Sequence, residues 1–143
     1  MPLWWLTKDG DAACLDLFAR HYSARDLDGR KLFVGPGEAI VLRTWEGDAM
    51  FVWRRFLDNM GARRIECSVF RNESRHLSSD LVRQADAIAD HVWPGCWRYT
   101  FVDASRVRST VPGWCFRRAG WKPTGRVTMK RGLIELTRRP AAA

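Results

Sequence analysis

The period of the hydrophobic positions changes once between Arg64 and Val92, and this change marks the most informative stretch of the chain. Apolar residues first alternate with polar or larger ones, which is the period of two expected for a strand with two different faces. They then recur at helical spacing from Leu81 onward. The alternating positions are Ile65, Cys67 and Val69, and the helical ones are Leu81, Ala85, Ile88, Ala89 and Val92. We predict a strand, a polar loop and a long helix in direct succession.

This order has a chemical implication for the polar loop. A strand that leads through a loop into a helix brings unpaired N–H groups and the positive end of the helix dipole to one point, where a phosphate can bind. An ordinary strand and helix joined by a solvated loop would show the same pattern. The residues alone leave both interpretations open.

The remaining elements follow from similar patterns. Turn residues separate two strands over 39–44 and 49–56, and Trp45 to Asp48 form a hairpin connection. The other predicted elements are a strand at 3–6, a helix from Asp9 to Tyr22, a strand at 97–102, a short helix at 114–119 and a last hairpin of 126–129 with 133–137. The fold is therefore mixed α/β with an antiparallel first half, and the strand–helix–strand unit ending at Asp103 is expected to be parallel and right-handed.

Length and composition indicate one soluble domain. The 143 residues, with eight Trp and seven Phe, can build one core over 1–139, followed by an unstructured tail at 140–143. The four cysteines have no metal-site spacing, so we expect reduced thiols and no metal. No signal peptide or bilayer-spanning run is evident, which predicts a cytoplasmic protein without a membrane partner.

Charge is distributed unevenly along the chain. Residues 1–96 carry 13 basic and 14 acidic residues, whereas residues 97–143 carry 11 basic residues against Asp103 and Glu135. The net charge of +8 therefore comes from the C-terminal third. Such a segment attracts a polyanion such as DNA, although a coenzyme with several phosphates would also benefit.

The order of elements resembles the GNAT fold of acyl-CoA-dependent N-acyltransferases, and the segment from Cys115 to Trp121, CFRRAGW, is similar to a motif near the end of those proteins. The resemblance implies a mostly antiparallel sheet of six or seven strands, with a V-shaped opening between the fourth and fifth strands for acetyl-CoA or a related acyl-CoA. Carried over to this chain, it places seven residues near the coenzyme: Val69, Phe70, Arg71, Arg75, Ser78, Ser79 and Phe116.

Two departures from the GNAT pattern stand out. The family's glycine-rich pyrophosphate loop is replaced here by RHLSSD, in which Asp80 would repel an anion. Phe116 stands where the family commonly has the tyrosine that protonates the departing thiolate. These departures, with the segments RNES, FVD and GWCFRRAGW, resemble the phage Mom-type proteins, which install a carbamoylmethyl group on adenine N6 of DNA. That resemblance implies double-stranded DNA as partner and draws attention to Arg71 and Asp103.

Candidate catalytic residues come from strand and helix ends. Asp103 ends a strand and would accept the amine proton, or it caps the loop that follows. His21 and Tyr22 end the first helix and are either an acid/base pair or a cap and a half-buried ring. For nucleic acid, we expect contacts from Tyr99, Arg106, Arg108, Arg117, Arg118 and Lys122. Trp114, Trp121 and Tyr99 either stack on a flipped base or belong to the core.

Three functions are consistent with the sequence: a GNAT-like transferase that modifies a DNA base and so protects DNA from restriction, a conventional acetyl-CoA-dependent N-acetyltransferase of a protein or small amine, and a DNA-binding module without catalysis. The first makes Asp103 essential for modification but not for DNA binding. The second predicts acetyl-CoA turnover without DNA. The third predicts DNA binding that Asp103→Ala does not affect.

Overall fold

The computed structural model describes residues 1–20, 31–57, 63–104 and 113–141. Within these ranges the elements are β1 (Trp5–Thr7), α1 (Ala12–Ala19), β2 (Glu38–Arg43), β3 (Ala49–Leu57), β4 (Arg63–Asn72), α2 (Ser78–Val92), β5 (Trp97–Val102), α3 (Trp114–Arg118), β6 (Lys122–Val127) and β7 (Ile134–Arg138). This is the predicted order. The largest shift is at β6, which begins at Lys122 rather than at Arg126.

The strands form one mixed sheet in the order β1-β2-β3-β4-β5-β7-β6. The first four strands pair antiparallel in sequence, and β4 pairs parallel with β5. The last hairpin joins the sheet through β7, which pairs antiparallel with both β5 and β6. The predicted α/β class, with an antiparallel first half and one parallel crossover, is confirmed.

Helices cover the two faces of the sheet, and each face has its own apolar cluster. On the face covered by α2 and α3, here called the α2 face, the sheet contributes Phe51, Trp53 and Ile65 beneath Leu81 and Ala85. On the opposite α1 face, the cluster contains Cys14, Leu17, Phe18, Phe33, Val41, Met50, Val52 and Val69.

A bulge in β4 corrects the predicted alternation of that strand. Val52 pairs with Val69 but Trp53 pairs with Cys67, so Ser68 is an extra residue in β4. Ile65 and Cys67 pack in the α2 cluster, whereas Val69 packs in the α1 cluster and Phe70 packs against the α2 cluster. The strict period of two breaks at Ser68 because an inserted residue reverses the faces of the positions that follow it.

The aromatic residues divide between core and surface. Tyr99 and Trp121 are 5% and 2% exposed, so the core interpretation holds for both and neither ring is available to stack on a base. Trp114 and Trp97 are 53% and 50% exposed. Trp97 is the first residue of β5, where the strand begins.

A buried charge network joins α2 to the second half of the sheet. The Arg98 guanidinium, which is 0% exposed, donates to the Asp86 carboxylate over 3.0 Å and also pairs with Asp90. The indole N–H of Trp121 donates to the other oxygen of Asp86 over 2.9 Å. Burial raises the pKa of Asp86, and the hydrogen bonds from Trp121 and Arg98 oppose that rise. Arg98 is therefore a core residue, and its charge does not contribute to the basic surface.

The described helices include none that is both long and apolar enough to cross a bilayer. No group of three or more potential metal ligands is present among the described residues. Of the predicted tail, Pro140 and Ala141 are described, and the Ala141 N–H donates to Asp90 over 3.2 Å.

Candidate functional site

The candidate site lies where β4 and β5 separate. The two strands pair only through Arg64–Trp97, Ile65–Arg98 and Glu66–Tyr99, although β4 continues to Asn72 and β5 to Val102. Just beyond the last pair, the Thr100 hydroxyl donates to the Cys67 carbonyl over 2.9 Å. The strand ends therefore diverge and leave an opening in the middle of the sheet, as expected for a V-shaped opening between the fourth and fifth strands.

Aromatic rings border the opening on the α2 face. Phe70 from β4 and Phe116 from α3 meet edge to face with ring centres 5.8 Å apart, and Phe116 also contacts Trp121 at 5.0 Å. Phe116 is 6% exposed. Phe70 and Phe116 thus form an apolar wall at this side of the opening. Val69, the third predicted apolar contact, faces the α1 cluster instead because of the bulge.

The bulge brings a hydroxyl to the point of divergence. The Ser68 Oγ is buried and has no hydrogen-bond partner in the described structure. A buried hydroxyl without a partner costs about 1–3 kcal/mol, so an orphan of this kind is typical of a place where a ligand supplies the missing partner. Sequence reasoning did not single out Ser68, since nothing in the pattern marks the bulge.

Side chains hold the loop between β4 and α2 in shape. The Asn72 amide donates to the His76 carbonyl and to the Ser78 hydroxyl, both over 2.8 Å. The Asn72 oxygen accepts from the Ser74 N–H and hydroxyl, and the Ser74 hydroxyl accepts from the His76 N–H over 3.1 Å. A compact loop is thereby formed without glycine, and the amides of Ser74 and His76 are already occupied.

The first amides of α2 remain available. Leu77 occupies the N-cap position and provides no side-chain cap, and the described structure contains no hydrogen bond from the N–H of Ser78 or Ser79. Ser79 is 3% exposed, whereas Asp80 points outward and pairs with Arg83 over 3.0 Å. The ion pair reduces the repulsion that Asp80 would exert on an anion. The start of α2 can therefore accept a phosphate by its backbone.

The two predicted phosphate-binding arginines take different positions. Arg71 lies toward α1, where its guanidinium donates to Glu73 over 2.9 Å and to the Arg20 carbonyl over 3.2 Å. Glu73 also forms a two-point ion pair with Arg20, whose hydrogen bond is the main reason that the pKa of Glu73 is lowered to about 2. Arg75 is exposed on the loop itself. Arg75 is thus better placed than Arg71 for a phosphate at α2.

The candidate catalytic residues are only partly described. Asp103 directly follows the end of β5, which is one of the two strands that border the opening, and it is 7% exposed. His21, Tyr22, Arg106 and Arg108 lie outside the described residues. Of the three predicted catalytic residues, Asp103 is the one within the described residues, and its catalytic role stays a prediction.

Tyr99 does not match its predicted role in nucleic-acid binding. Its ring lies beneath Arg64, whose guanidinium carbon is 4.2 Å from the ring centre. Burial raises the pKa of Tyr99 to about 12, and Glu66 adds to this effect. The nucleic-acid role is corrected to a core role, because a covered ring cannot stack on a base that arrives from solvent.

The other predicted nucleic-acid contacts are nearer the surface. Arg118 and Lys122 are exposed, and Arg117 is half-buried on α3. The Arg118 guanidinium lies 5.8 Å from the ring centre of Trp114, and its carbonyl accepts from Arg83 of α2 over 2.8 Å. The basic side chains of α3 thus border the same end of the sheet as the opening.

Cysteine chemistry is disfavoured at the described site. Burial raises the pKa of Cys115 to about 11 and that of Cys67 well above its usual range. The thiolate is the nucleophilic form of cysteine, so both side chains stay unreactive at neutral pH.

Comparison with known proteins identifies the fold. The structure is similar to an acyl-CoA N-acyltransferase from Pseudomonas aeruginosa, with a TM-score of 0.61 and 18% identity over 96% of this chain and 99% of that one. It is also similar to ElaA from Escherichia coli, with a TM-score of 0.62 and 16% identity over 94% and 98% of the two chains. No protein-family model and no curated protein sequence matches the chain. The likeness establishes a GNAT-like fold and gives no support to the Mom-type resemblance.

Proposed function

We propose that this protein is an N-acyltransferase that uses acetyl-CoA or a related acyl-CoA as donor. The observation that carries the proposal is the separation of β4 from β5 after three residue pairs, directly beside the uncapped start of α2. An extended thioester arm fits between diverging strands, and its pyrophosphate would meet the free amides of Ser78 and Ser79. The similar Pseudomonas protein, an acyl-CoA N-acyltransferase, supports the same class of reaction.

The residues around the opening suit the donor in two further respects. Phe70 and Phe116 offer an apolar wall against the arm and keep water from the thioester. The Ser68 hydroxyl lacks a partner and would donate a hydrogen bond to the donor near the reacting carbonyl. Phe116 has no proton to give, so the departing thiolate would take its proton from another group or from solvent.

The first experiment separates donor binding from general anion binding. Ser78→Glu places a negative charge at the start of α2, where it favours the helix dipole but repels a pyrophosphate. Ala87→Glu makes the same charge change on the exposed middle of the helix and is the matched control. We expect calorimetry to show CoA affinity at least about tenfold lower for Ser78→Glu and unchanged for Ala87→Glu.

Pantetheine, which lacks the pyrophosphate, supplies the second arm of this experiment. Its affinity is expected to be the same in both variants. Turnover is then followed by thiol release from acetyl-CoA with a panel of amines. Failure of wild-type protein to bind CoA at millimolar concentration would refute the proposal.

A narrower candidate is transfer to an exocyclic amine of a DNA base, such as carbamoylmethyl-type modification of adenine N6. Exposed Arg118 on α3 favours it, because it would hold a phosphate of double-stranded DNA near the opening, and Asp103 would accept the amine proton. Mass spectrometry of nucleosides from cells that express the protein tests this candidate. A modified nucleoside that disappears with Asp103→Ala is the expected result, and an unmodified profile with soluble protein counts against it.

A further inference from the structure

A second cleft lies at the opposite end of the sheet from the opening between β4 and β5. It has a volume of about 710 Å³ and is lined by Trp97, Lys122, Thr137, Arg138 and Arg139 among others. Trp97 begins β5, whereas the opening lies beyond Tyr99 toward Val102. Six strand residues span roughly 17 Å, so the cleft is separate from the proposed donor site.

Strand register places the aromatic and cationic side chains of the cleft on neighbouring strands. Arg98 pairs with Arg138, which puts Trp97 next to Arg139 across β5 and β7. Lys122 pairs with Thr137, so β6 adds its first residue to the same corner of the sheet. Side chains on adjacent strands approach to about 5 Å, which allows these residues to contact one ligand together.

Trp97 is half exposed to solvent, and the described residues provide no aromatic or cationic partner for its ring. Trp114, the other strongly exposed tryptophan of the second half, differs because Arg118 lies over its ring. An indole face at the wall of a cleft offers a stacking surface for a planar ring.

The charges at the cleft are almost entirely positive. No acidic side chain lines it, and neither Lys122 nor Arg139 has an ion-pair partner among the described residues. The Arg138 guanidinium also pairs with two carboxylates of the buried network, at 3.7 Å from Asp86 and 3.9 Å from Asp90. Two free cations beside an open indole suit a ligand that combines a planar base with a phosphate.

We propose that this cleft binds a nucleoside phosphate, with the base stacked on Trp97 and the phosphate held by Lys122 and Arg139. The unit is either a free nucleotide or part of a single strand. The proposal does not depend on acyl transfer. The nucleotide portion of CoA is not the ligand, because the donor would meet the sheet at the other end.

The test measures two probes against the full-length protein: guanosine monophosphate by calorimetry and a fluorescein-labelled ten-nucleotide single strand by anisotropy. Trp97→Ala and Lys122→Glu are each expected to weaken binding of the bound probe by about tenfold or more. Trp97→Phe, which keeps a stacking ring, should retain most of the affinity. Trp114→Ala and Arg131→Ala are the matched controls and should stay within about twofold of wild type.

The outcomes distinguish a free nucleotide from a single strand as the ligand. They also distinguish failure of this proposal from failure of the proposed function. Binding of the free nucleotide identifies a nucleotide site, whereas binding of the strand alone, with a steep salt dependence, identifies a nucleic-acid site. Binding that Trp114→Ala weakens as much as Trp97→Ala overturns the proposal, as does no binding of either probe. Acyl-CoA affinity measured on the cleft variants should be unchanged, so loss of this proposal leaves the proposed function standing, and the reverse also holds.

Discussion

Replacement of Asp86 by alanine is expected to destabilise the protein strongly. Asp86 is 2% exposed, and its two oxygens accept from Arg98 and Trp121 over 3.0 and 2.9 Å. Without the carboxylate, Arg98 keeps a fully buried charge and Trp121 loses its acceptor. Removing one partner of a buried ion pair costs about 3–5 kcal/mol, because the other charge is left without compensation.

The expected cost lies near the lower end of that range. Asp90 also pairs with Arg98 and remains in place, so the guanidinium keeps one of its carboxylates. We therefore expect the free energy of unfolding to fall by about 3 kcal/mol, which corresponds to a decrease of roughly 10 °C in Tm for a domain of this size. Asp90→Ala is the comparison variant, because the Asp90 side chain is 21% exposed and water can replace it.

Urea unfolding at pH 7, followed by tryptophan fluorescence and circular dichroism, measures both variants. We expect the free energy of unfolding to fall strongly for Asp86→Ala and by about 1 kcal/mol for Asp90→Ala. A loss below about 1 kcal/mol for Asp86→Ala at unchanged m-value would refute the reasoning. It would mean that water or another acceptor takes the hydrogen bonds of Arg98 in the folded variant.

Three further predictions concern the site and its frame. Ser68→Ala should lower kcat for acyl transfer by about tenfold with little change in KM, because the hydroxyl would act on the reacting carbonyl; an equal loss of CoA affinity would contradict this. Glu73 has its pKa lowered to about 2, so its ion pairs stabilise the fold above about pH 4.3 and lose this effect as the pH falls toward 2. Unfolding measured from pH 2 to 6 should show that Glu73→Gln removes this pH dependence. The free energy of unfolding lost should be less than about 1 kcal/mol, because Glu73 is largely exposed. Gly37→Ala should lower the Tm more than Gly95→Ala. Both positions have positive φ, but only at Gly37 would a Cβ lie 2.6 Å from a backbone oxygen. An equal decrease in Tm for the two variants would show that the clash relaxes.

The architecture was predictable because each element of the sheet carries its own local signal. The hairpin at Trp45 to Asp48 and the stop after α2 at Trp93 to Gly95 follow from turn chemistry, and Gly47 and Gly95 adopt the positive φ that such turns require. The single inserted residue in β4 has no such signal. Ser68 is compatible with a regular strand, and only pairing with Val52 and Trp53 of β3 decides that it bulges. Periodicity alone therefore could not predict on which face of the sheet Val69 lies.

The candidate site could be located from the sequence, but the partners within it could not. The strand–loop–helix order placed Ser78 and Ser79 in the loop before a helix from Leu81 onward, whereas α2 already begins at Ser78. It could not indicate that Glu73 would draw Arg71 toward Arg20, since those residues are brought together by the sheet and by α1. The proposed phosphate binding therefore relies on the backbone amides of α2 more than on an arginine chosen from the sequence.

The positive charge of the C-terminal third has a different meaning once the fold is known. Arg98 lies in the core with Asp86 and Asp90, so part of the excess is neutralised by acidic residues from the first two thirds of the chain. Among the described residues, exposed Arg118 lies on α3 near the opening, whereas Lys122 and Arg139 meet at the cleft beside Trp97. The two proposed anion sites, at opposite ends of β5, would each use a different part of this exposed charge.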